Sequence, residues 1–443
     1  MKFFKNYIAI LLVLFTVSAF AQEQISYPAI NAKTYELFLQ KDWKQLIKTG
    51  KQSLKKDIDF YYLQVRMGIA YYELKKYPKA VKHFENAHDK NKTDELIQEY
   101  LYFSYLFSGR YEDARVMAGT FKRLLKKKLN ISAEHPFISA LYIETKHDFN
   151  EDYKYAPQLG ESVSQRAVLN QSYYNLSLEH KIGDRVTIFH GYSHIGITNG
   201  VVGNAIDLPP FYTEYINQNE YYFSLKLQAA RGLNLSGAFH YLNTNYYAPD
   251  LISSSGGGRW GVSFPLYDYS ENTFVGAINL SKHFSIVRIA GGTSFSNLNQ
   301  NLQIQPEVSV KLYPFGNSKF FTESQAVYLW EDDGISISQN PVFKQSIGVS
   351  FLTYSWFIPS VTYGNLKNYT AYNALIANND VDIIKQKYEA LVNFGFNKGK
   401  FNLFFKYQYN LKENQYEVNN TDQYKDYVNQ SITGGIKWYF NKY

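Results

Sequence analysis

From Lys387 to Lys412 the chain alternates. Tyr388, Ala390, Val392, Phe394 and Phe396 interleave with Lys387, Glu389, Leu391, Asn393 and Gly395. A period of two is that of a β-strand whose two faces meet different surroundings. Lys398-Gly399 supplies a tight turn. Phe401, Leu403, Phe405, Tyr407 and Tyr409 then resume the pattern against Asn402, Phe404, Lys406, Gln408 and Asn410. Folding there sets Phe396 against Phe401, Phe394 against Leu403, Val392 against Phe405 and Ala390 against Tyr407, so the apolar faces coincide. Strands of about ten residues or more with charges spread along the other face fit a lipid-facing barrel better than a soluble sandwich.

The unit repeats through the second half of the chain. Alternation and turn residues predict about fourteen strands, near 137–146, 171–181, 185–197, 215–229, 233–245, 272–282, 285–296, 302–312, 319–331, 342–353, 356–367, 386–397, 400–411 and 430–440. Strands near 319–331 and 356–367 alternate poorly, which leaves twelve or sixteen open. Short connections, such as Gly183-Asp184 and His283-Phe284, take turns with longer ones at 147–170, 198–214, 246–271, 368–385 and 412–429. That asymmetry is the one expected of short periplasmic turns and long outer loops. An even strand count returns both termini to the periplasmic side.

Between residue 30 and about 130 the period becomes helical, and a longer repeat appears. Tyr71 and Tyr105, Tyr77 and Tyr111, and Ala80 and Ala114 are each 34 residues apart, and Trp43 precedes Tyr77 by the same step. The predicted fold class is therefore α+β and multidomain, a small helical solenoid followed by an antiparallel transmembrane barrel.

Composition sharpens this. Aromatic residues make up 18% of the chain, with 41 tyrosines, an excess that girdles at two membrane interfaces would explain. Mean hydropathy is −0.35, and beyond the first segment no apolar run approaches the ~20 residues of a spanning helix. The absence of cysteine excludes disulfides, thiolate metal sites, a cysteine nucleophile and a lipid anchor on cysteine. Lys2 and Lys5, the apolar run Ile8 to Val17, and Ala19-Phe20-Ala21 before Gln22 form a secretory signal over residues 1–21. The expected domains are this signal, a periplasmic helical domain over 22–134, and a barrel over 135–443 in a Gram-negative-type outer membrane. Residues 22–134 carry 21 basic and 14 acidic side chains, residues 135–443 carry 23 and 25. That basic excess suits anionic headgroups or an acidic partner. An exported protein has no expected nucleic-acid partner. Lys122, Arg123, Lys126, Lys127 and Lys128 read as a solvated helix end or as a contact for inner-leaflet phosphates.

The stretch GIAYYELKKYPKAVKHFENA resembles the tetratricopeptide repeat, with Gly68, Tyr71, Tyr77, Ala80, Phe84 and Ala87 at its signature positions. The next unit keeps Tyr105, Gly109, Tyr111 and Ala114, and the first keeps little beyond Trp43. The resemblance implies a concave groove that binds a protein partner, lined by Tyr62, Val65, Ile69, Tyr72, Leu96, Glu99, Phe103 and Leu106; these residues serve equally to pack a neighbouring helix. Ile432, Ile436, Trp438 and Phe440 share one face of the last strand, which resembles the carboxyl-terminal signal read by the outer-membrane insertion machinery. Asn441-Lys442-Tyr443 makes that match imperfect. As an architecture, the chain is similar to outer-membrane barrels bearing periplasmic tetratricopeptide segments, among them the YaiO-type family, which implies an envelope role without a defined activity.

Chemistry is sparse. Folding at Gly183-Asp184 predicts Ser177 opposite His190 and Tyr173 opposite His194, with Glu179 and Asn175 on the same face. A hydroxyl beside an imidazole is the minimum for nucleophilic catalysis and admits a lipid hydrolase as a distant alternative. His190 and His194 stand about 13 Å apart on a strand, too far to share a metal. Ser253–Gly258 (SSSGGG) lacks the lysine and helix of a phosphate loop. No catalytic residue, metal or cofactor is assigned. The predicted lumen face carries Lys226, Arg288, Glu307, Lys311, Lys387, Glu389 and Lys406. Two functions follow: an anchor whose helical module docks a protein partner for envelope assembly, export or glycan handling, and, as the alternative, a passive or gated small-molecule channel.

Overall fold

The computed structural model describes residues 26–132, 136–150, 163–203, 211–249, 266–376, 382–419 and 421–440. The expected export signal over residues 1–21, Ser253–Gly258 and the last three residues lie outside them. The chain forms two compact units, residues 1–104 and 105–443.

The first unit is built from helical hairpins. Helices α1 (Tyr27–Leu39), α3 (Tyr61–Glu73) and α5 (Glu95–Phe107) begin 34 residues apart, as do α2 (Trp43–Leu54), α4 (Tyr77–Lys90) and α6 (Tyr111–Gly119). Close packing of α3 on α4 needs the small residue at 68, since a Cβ there would lie 2.5 Å from the Phe84 ring. Ala80, Phe84 and Ala87 are fully buried in the same seam. Arg66 crosses from α3 to α1, donating to Asn31 Oδ1 at 2.9 Å and Thr34 Oγ1 at 3.0 Å. His83 Nδ1 donates to Gln64 Oε1 at 2.7 Å, and its ring stacks on Tyr71.

The second unit opens with the end of α5, α6 and α7 (Arg123–Lys128), whose last turn holds Lys126, Lys127 and Lys128. Among the described residues that follow, fourteen antiparallel strands close into a barrel, as the alternation predicts. They are β1 (Ile138–Phe149), β2 (Val163–Ile182), β3 (Val186–Gly203), β4 (Phe211–Ala230), β5 (Leu233–Pro249), β6 (Leu266–Phe284) and β7 (Val287–Ser296). The circuit continues through β8 (Leu302–Leu312), β9 (Phe320–Asp332), β10 (Ile337–Leu352), β11 (Ser355–Tyr363), β12 (Ile383–Phe396), β13 (Phe401–Val418) and β14 (Thr421–Tyr439). Each strand pairs with its chain neighbour, and β14 pairs with β1, so no sheet edge is left open. Closure lets every strand satisfy its backbone in a membrane. Exposed Leu176, Tyr192, Phe239, Phe274, Ile278 and Phe405 alternate with inward polar residues, giving the outer apolar band of an outer-membrane barrel.

The β12–β13 hairpin adopts the predicted register, Phe396 facing Phe401 and Ala390 facing Tyr407. The β2–β3 hairpin does not. Its turn takes three residues, 183–185, so Ile182 pairs with Val186, Ser177 with Gly191 and Leu178 with His190. A slip of one residue moves a side chain to the opposite face. His190 and His194 therefore share the outward parity of exposed Tyr192, while Ser177 and Glu179 point inward. The hydroxyl–imidazole pairing expected for a hydrolase is not formed. Ser177 Oγ instead donates to Asn175 Oδ1 at 2.8 Å, and His190 bonds His180, Nε2 to Nε2 at 3.0 Å.

Candidate functional site: a lumen closed by chain segments

Lys226, Arg288, Glu307, Lys311, Lys387, Glu389 and Lys406 have the parity opposite to the exposed apolar positions and face the barrel interior. Their partners lie there too. Lys311 meets Glu323 at 3.0 Å, Glu307 accepts from Gln325 at 2.6 Å, and Lys387 and Lys344 both reach Glu389, at 3.2 and 3.1 Å. Of the residues expected to line a docking groove, Tyr62 and Leu96 are exposed, and Val65 and Ile69 are buried. Tyr72 packs edge-on against Tyr77 and Tyr100, and Glu99, Phe103 and Leu106 are half-buried.

At the short-turn end of the barrel, the α5–α6 corner is seated on the turns. Gly109 (φ +77°) ends α5, with Arg110 N–H donating to Tyr105 O at 2.9 Å and Gly109 N–H to Leu106 O at 3.1 Å. Glycine takes this left-handed corner at the least cost; the equivalent corners of the earlier hairpins hold Lys41 (φ +55°) and Lys75 (φ +57°). The α5 carbonyl left over at Phe107 accepts the N–H of Ser318, in the β8–β9 turn, at 3.0 Å. Asp113, at the start of α6, accepts the Gly232 N–H of the β4–β5 turn at 2.9 Å and the Arg110 Nε–H at 2.7 Å. Arg115 donates to Asp184 O, in the β2–β3 turn, at 2.8 Å and to Thr187 at 2.9 Å. Glu112 forms an ion pair with Lys226. Burial pushes the Glu112 carboxyl up, but the Lys226 ammonium outweighs it and holds the group down to about 2.

From the long-loop end a second segment enters the lumen. The 368–385 connection, expected as an outer loop, turns inward at Gly364 (φ +137°), where a Cβ would lie 2.5 Å from Pro341 O. A small hairpin follows, pairing Thr370 with Ile376 and Ala371 with Leu375. Tyr222 Oη donates to Asn373 O at 2.9 Å, and His240 Nδ1 contacts Ala374 O at 3.2 Å. Thr370 bonds Ser294 at 2.9 Å and donates its N–H to Gln305 Oε1 at 3.2 Å. Leu366 and Tyr369 pack on Val327, Val342 and Ile384. Ala374 packs on Val275, Ala277 and Leu298. These partners belong mainly to β4–β10, so the segment leans on one side of the interior.

The tip of β13–β14 adds a third closure. The expected 412–429 loop is largely strand, and its tip pairs Glu417 and Val418 with Ser164 and Val163 of β2, across the end of β1. Gln165 donates to Asn414 Oδ1 at 2.9 Å beside it. Alternation revealed neither closure, because Leu366, Tyr369 and Ala374 follow no period.

No family model matches this chain, and no curated protein matches it, so nothing there supports the tetratricopeptide or YaiO-type assignment. Among solved structures, it is similar to a FadL homologue of Pseudomonas aeruginosa: 10% identity, TM-score 0.43, covering 69% of this chain and 90% of that one. It is also similar to the CymD monoaromatic hydrocarbon channel: 10% identity, TM-score 0.39, covering 69% and 89%. A third is the toluene transporter TbuX of Ralstonia pickettii: 9% identity, TM-score 0.38, covering 68% and 88%. The expectation of a barrel that anchors a partner-docking module is corrected here. Its own interior is a polar lumen filled by an inserted segment, which an anchor for a docking module does not call for.

Proposed function

We propose that the protein is a gated channel or transporter for small polar solutes, with the short-turn end and the helical unit in the periplasm. On this reading the 34-residue hairpins are tetratricopeptide-like, and the last strand serves recognition by the insertion machinery. The observation that carries the reading is how the lumen is filled. The inserted hairpin is held mostly by hydrogen bonds between polar groups, each of which water or solute can replace, at a net cost of about 0.5–1.5 kcal/mol per bond. Fourteen strands enclose an interior wider than the eight-stranded kind that the strands' own side chains can fill, so the inserted segment is what occupies it.

Proteoliposome swelling tests this. Replacing residues 366–376 by a short glycine-serine linker is expected to raise the swelling rate in small sugars severalfold over the parent protein. Equal rates at equal folded insertion overturn the proposal.

A further inference from the structure

One stretch of the lumen wall, adjoining the seat of Leu366 and Tyr369 on β10 and β12, is crowded with charge. On β1, β10, β12 and β13, four lysines, Lys146, Lys344, Lys387 and Lys406, meet three carboxylates, Glu144, Asp148 and Glu389. Those carboxylates are heavily engaged. Glu389 takes Lys344 at 3.1 Å, Lys387 at 3.2 Å, Ser360 at 3.2 Å and Gln408 at 2.5 Å. Glu144 accepts the Tyr142 hydroxyl and meets Lys406 at 4.0 Å. Four ammoniums face three carboxylates, and Tyr142, Ser360 and Gln408 also donate to those carboxylates, so donors outnumber the lone pairs within the cluster. Nearer the short-turn end the imbalance recurs, with Lys181 and Lys437 sharing Glu179 at 2.9 and 3.2 Å.

Two further features adjoin the lysines. Thr433 pairs across the sheet with Lys406 on one side and with Lys146 on the other. Its hydroxyl is buried without a hydrogen-bond partner, as is Asn410 Oδ1. A buried polar atom left unpaired is costly, and a polar ligand would relieve it. Next to them, Tyr142 and Phe404 stack at 5.5 Å, and the Phe189 ring stands edge-on to Tyr142 at 6.4 Å. These half-buried rings have the same inward parity as Lys406 and Glu144.

We infer that this wall is a binding site for sugar acids, that is, pyranose rings bearing a carboxylate. The lysines supply the charge that a carboxylate requires, and charge-assisted hydrogen bonds are the strong ones. The unpaired threonine and asparagine atoms suit ring hydroxyls. The aromatic faces suit the apolar face of a pyranose, in the usual arrangement of a few placed polar groups beside rings. A neutral sugar would leave the ammonium surplus unanswered, and an aryl carboxylate would leave the hydroxyl partners unpaired.

The inference deepens the channel reading but is tested without flux. Calorimetric titration of the detergent-solubilised full chain compares D-glucuronate, D-glucose and benzoate. Glucuronate is expected to bind best. Lys406→Met should weaken it about tenfold or more, the loss of one charge-assisted hydrogen bond. Thr433→Val, nearly isosteric, should weaken it less, and Lys311→Met on the opposite wall should leave it unchanged. Glucose binding as tightly as glucuronate, benzoate alone binding, or a Lys406→Met protein that binds like the parent would overturn the inference. Binding without conductance would remove the channel reading and leave this site standing. Conductance without binding would do the reverse.

Discussion

Asp113 Oδ1 accepts the backbone N–H of Gly232 at 2.9 Å, which ties the first turn of α6 to the β4–β5 turn. The same carboxylate takes Arg110 and Gln228, so one side chain joins helix, corner and barrel. Asp113→Ala should leave buried donors unpaired at about 1–3 kcal/mol each, a shift toward the undocked helix of at least about tenfold. Amide hydrogen exchange over residues 105–119 should accelerate accordingly, while the β12–β14 amides keep their protection. Unchanged exchange in α6 would mean that Asp113 does not hold the helix in place.

Gly191 faces Ser177 across β2–β3, and a Cβ there would lie 1.9 Å from Ser177 Oγ. Gly191→Ala should cost about 1–3 kcal/mol by overpacking. Ser177→Gly in the same chain should recover most of that loss. Heating the folded barrel in detergent and following its electrophoretic shift reads both effects. Under the register first expected from the sequence, with Ser177 opposite His190, the second substitution would rescue nothing.

His83 in the helical unit is buried, and that burial lowers its pKa from 6.5 to about 4. The unfolded chain therefore binds a proton that the folded unit refuses. The contribution is fully present above pH 6.5 and is lost as pH falls toward 4, amounting to about 3 kcal/mol for a shift of this size. Thermal unfolding of the α-helical signal should move several degrees lower between pH 7 and pH 4. His83→Gln should flatten that dependence, and an equal slope in the variant would contradict the assignment.

Glu112 points the other way. Its carboxyl stays ionised to about pH 2 beside Lys226, so the contribution of this pair is present above pH 4.5 and fades as pH falls toward 2. Docking of α6, read by the same exchange experiment, should be as tight at pH 5 as at pH 7. Release between those values would show that Glu112 does not carry the contact.

The parts legible in the sequence are those with local rules. The β12–β13 register followed from matched alternation on both sides of Lys398-Gly399, and the 34-residue helix spacing followed from Tyr71, Tyr77 and Ala80. At β2–β3 a third turn residue, Arg185, shifted the register and turned His190 outward. Nothing in alternation distinguishes a two-residue turn from a three-residue one there. Strand β14 begins at Thr421, well before the expected 430, because above the apolar band neither face meets lipid and the alternation fades. The inserted segment was hidden for a different reason. Asn373 and Tyr222, hydrogen-bonded in the lumen, are 151 residues apart, and no local pattern signals such a pairing.

Inserted chain segments, rather than the strands' own side chains, fill and close this barrel. Single-channel recording in planar bilayers tests this most directly, on a protein carrying both Asp113→Ala and the 366–376 linker replacement. The parent protein is expected to be quiet with brief openings and the double variant to show a steady ohmic conductance, each change alone giving an intermediate open fraction. A folded, inserted double variant that stays silent would contradict it.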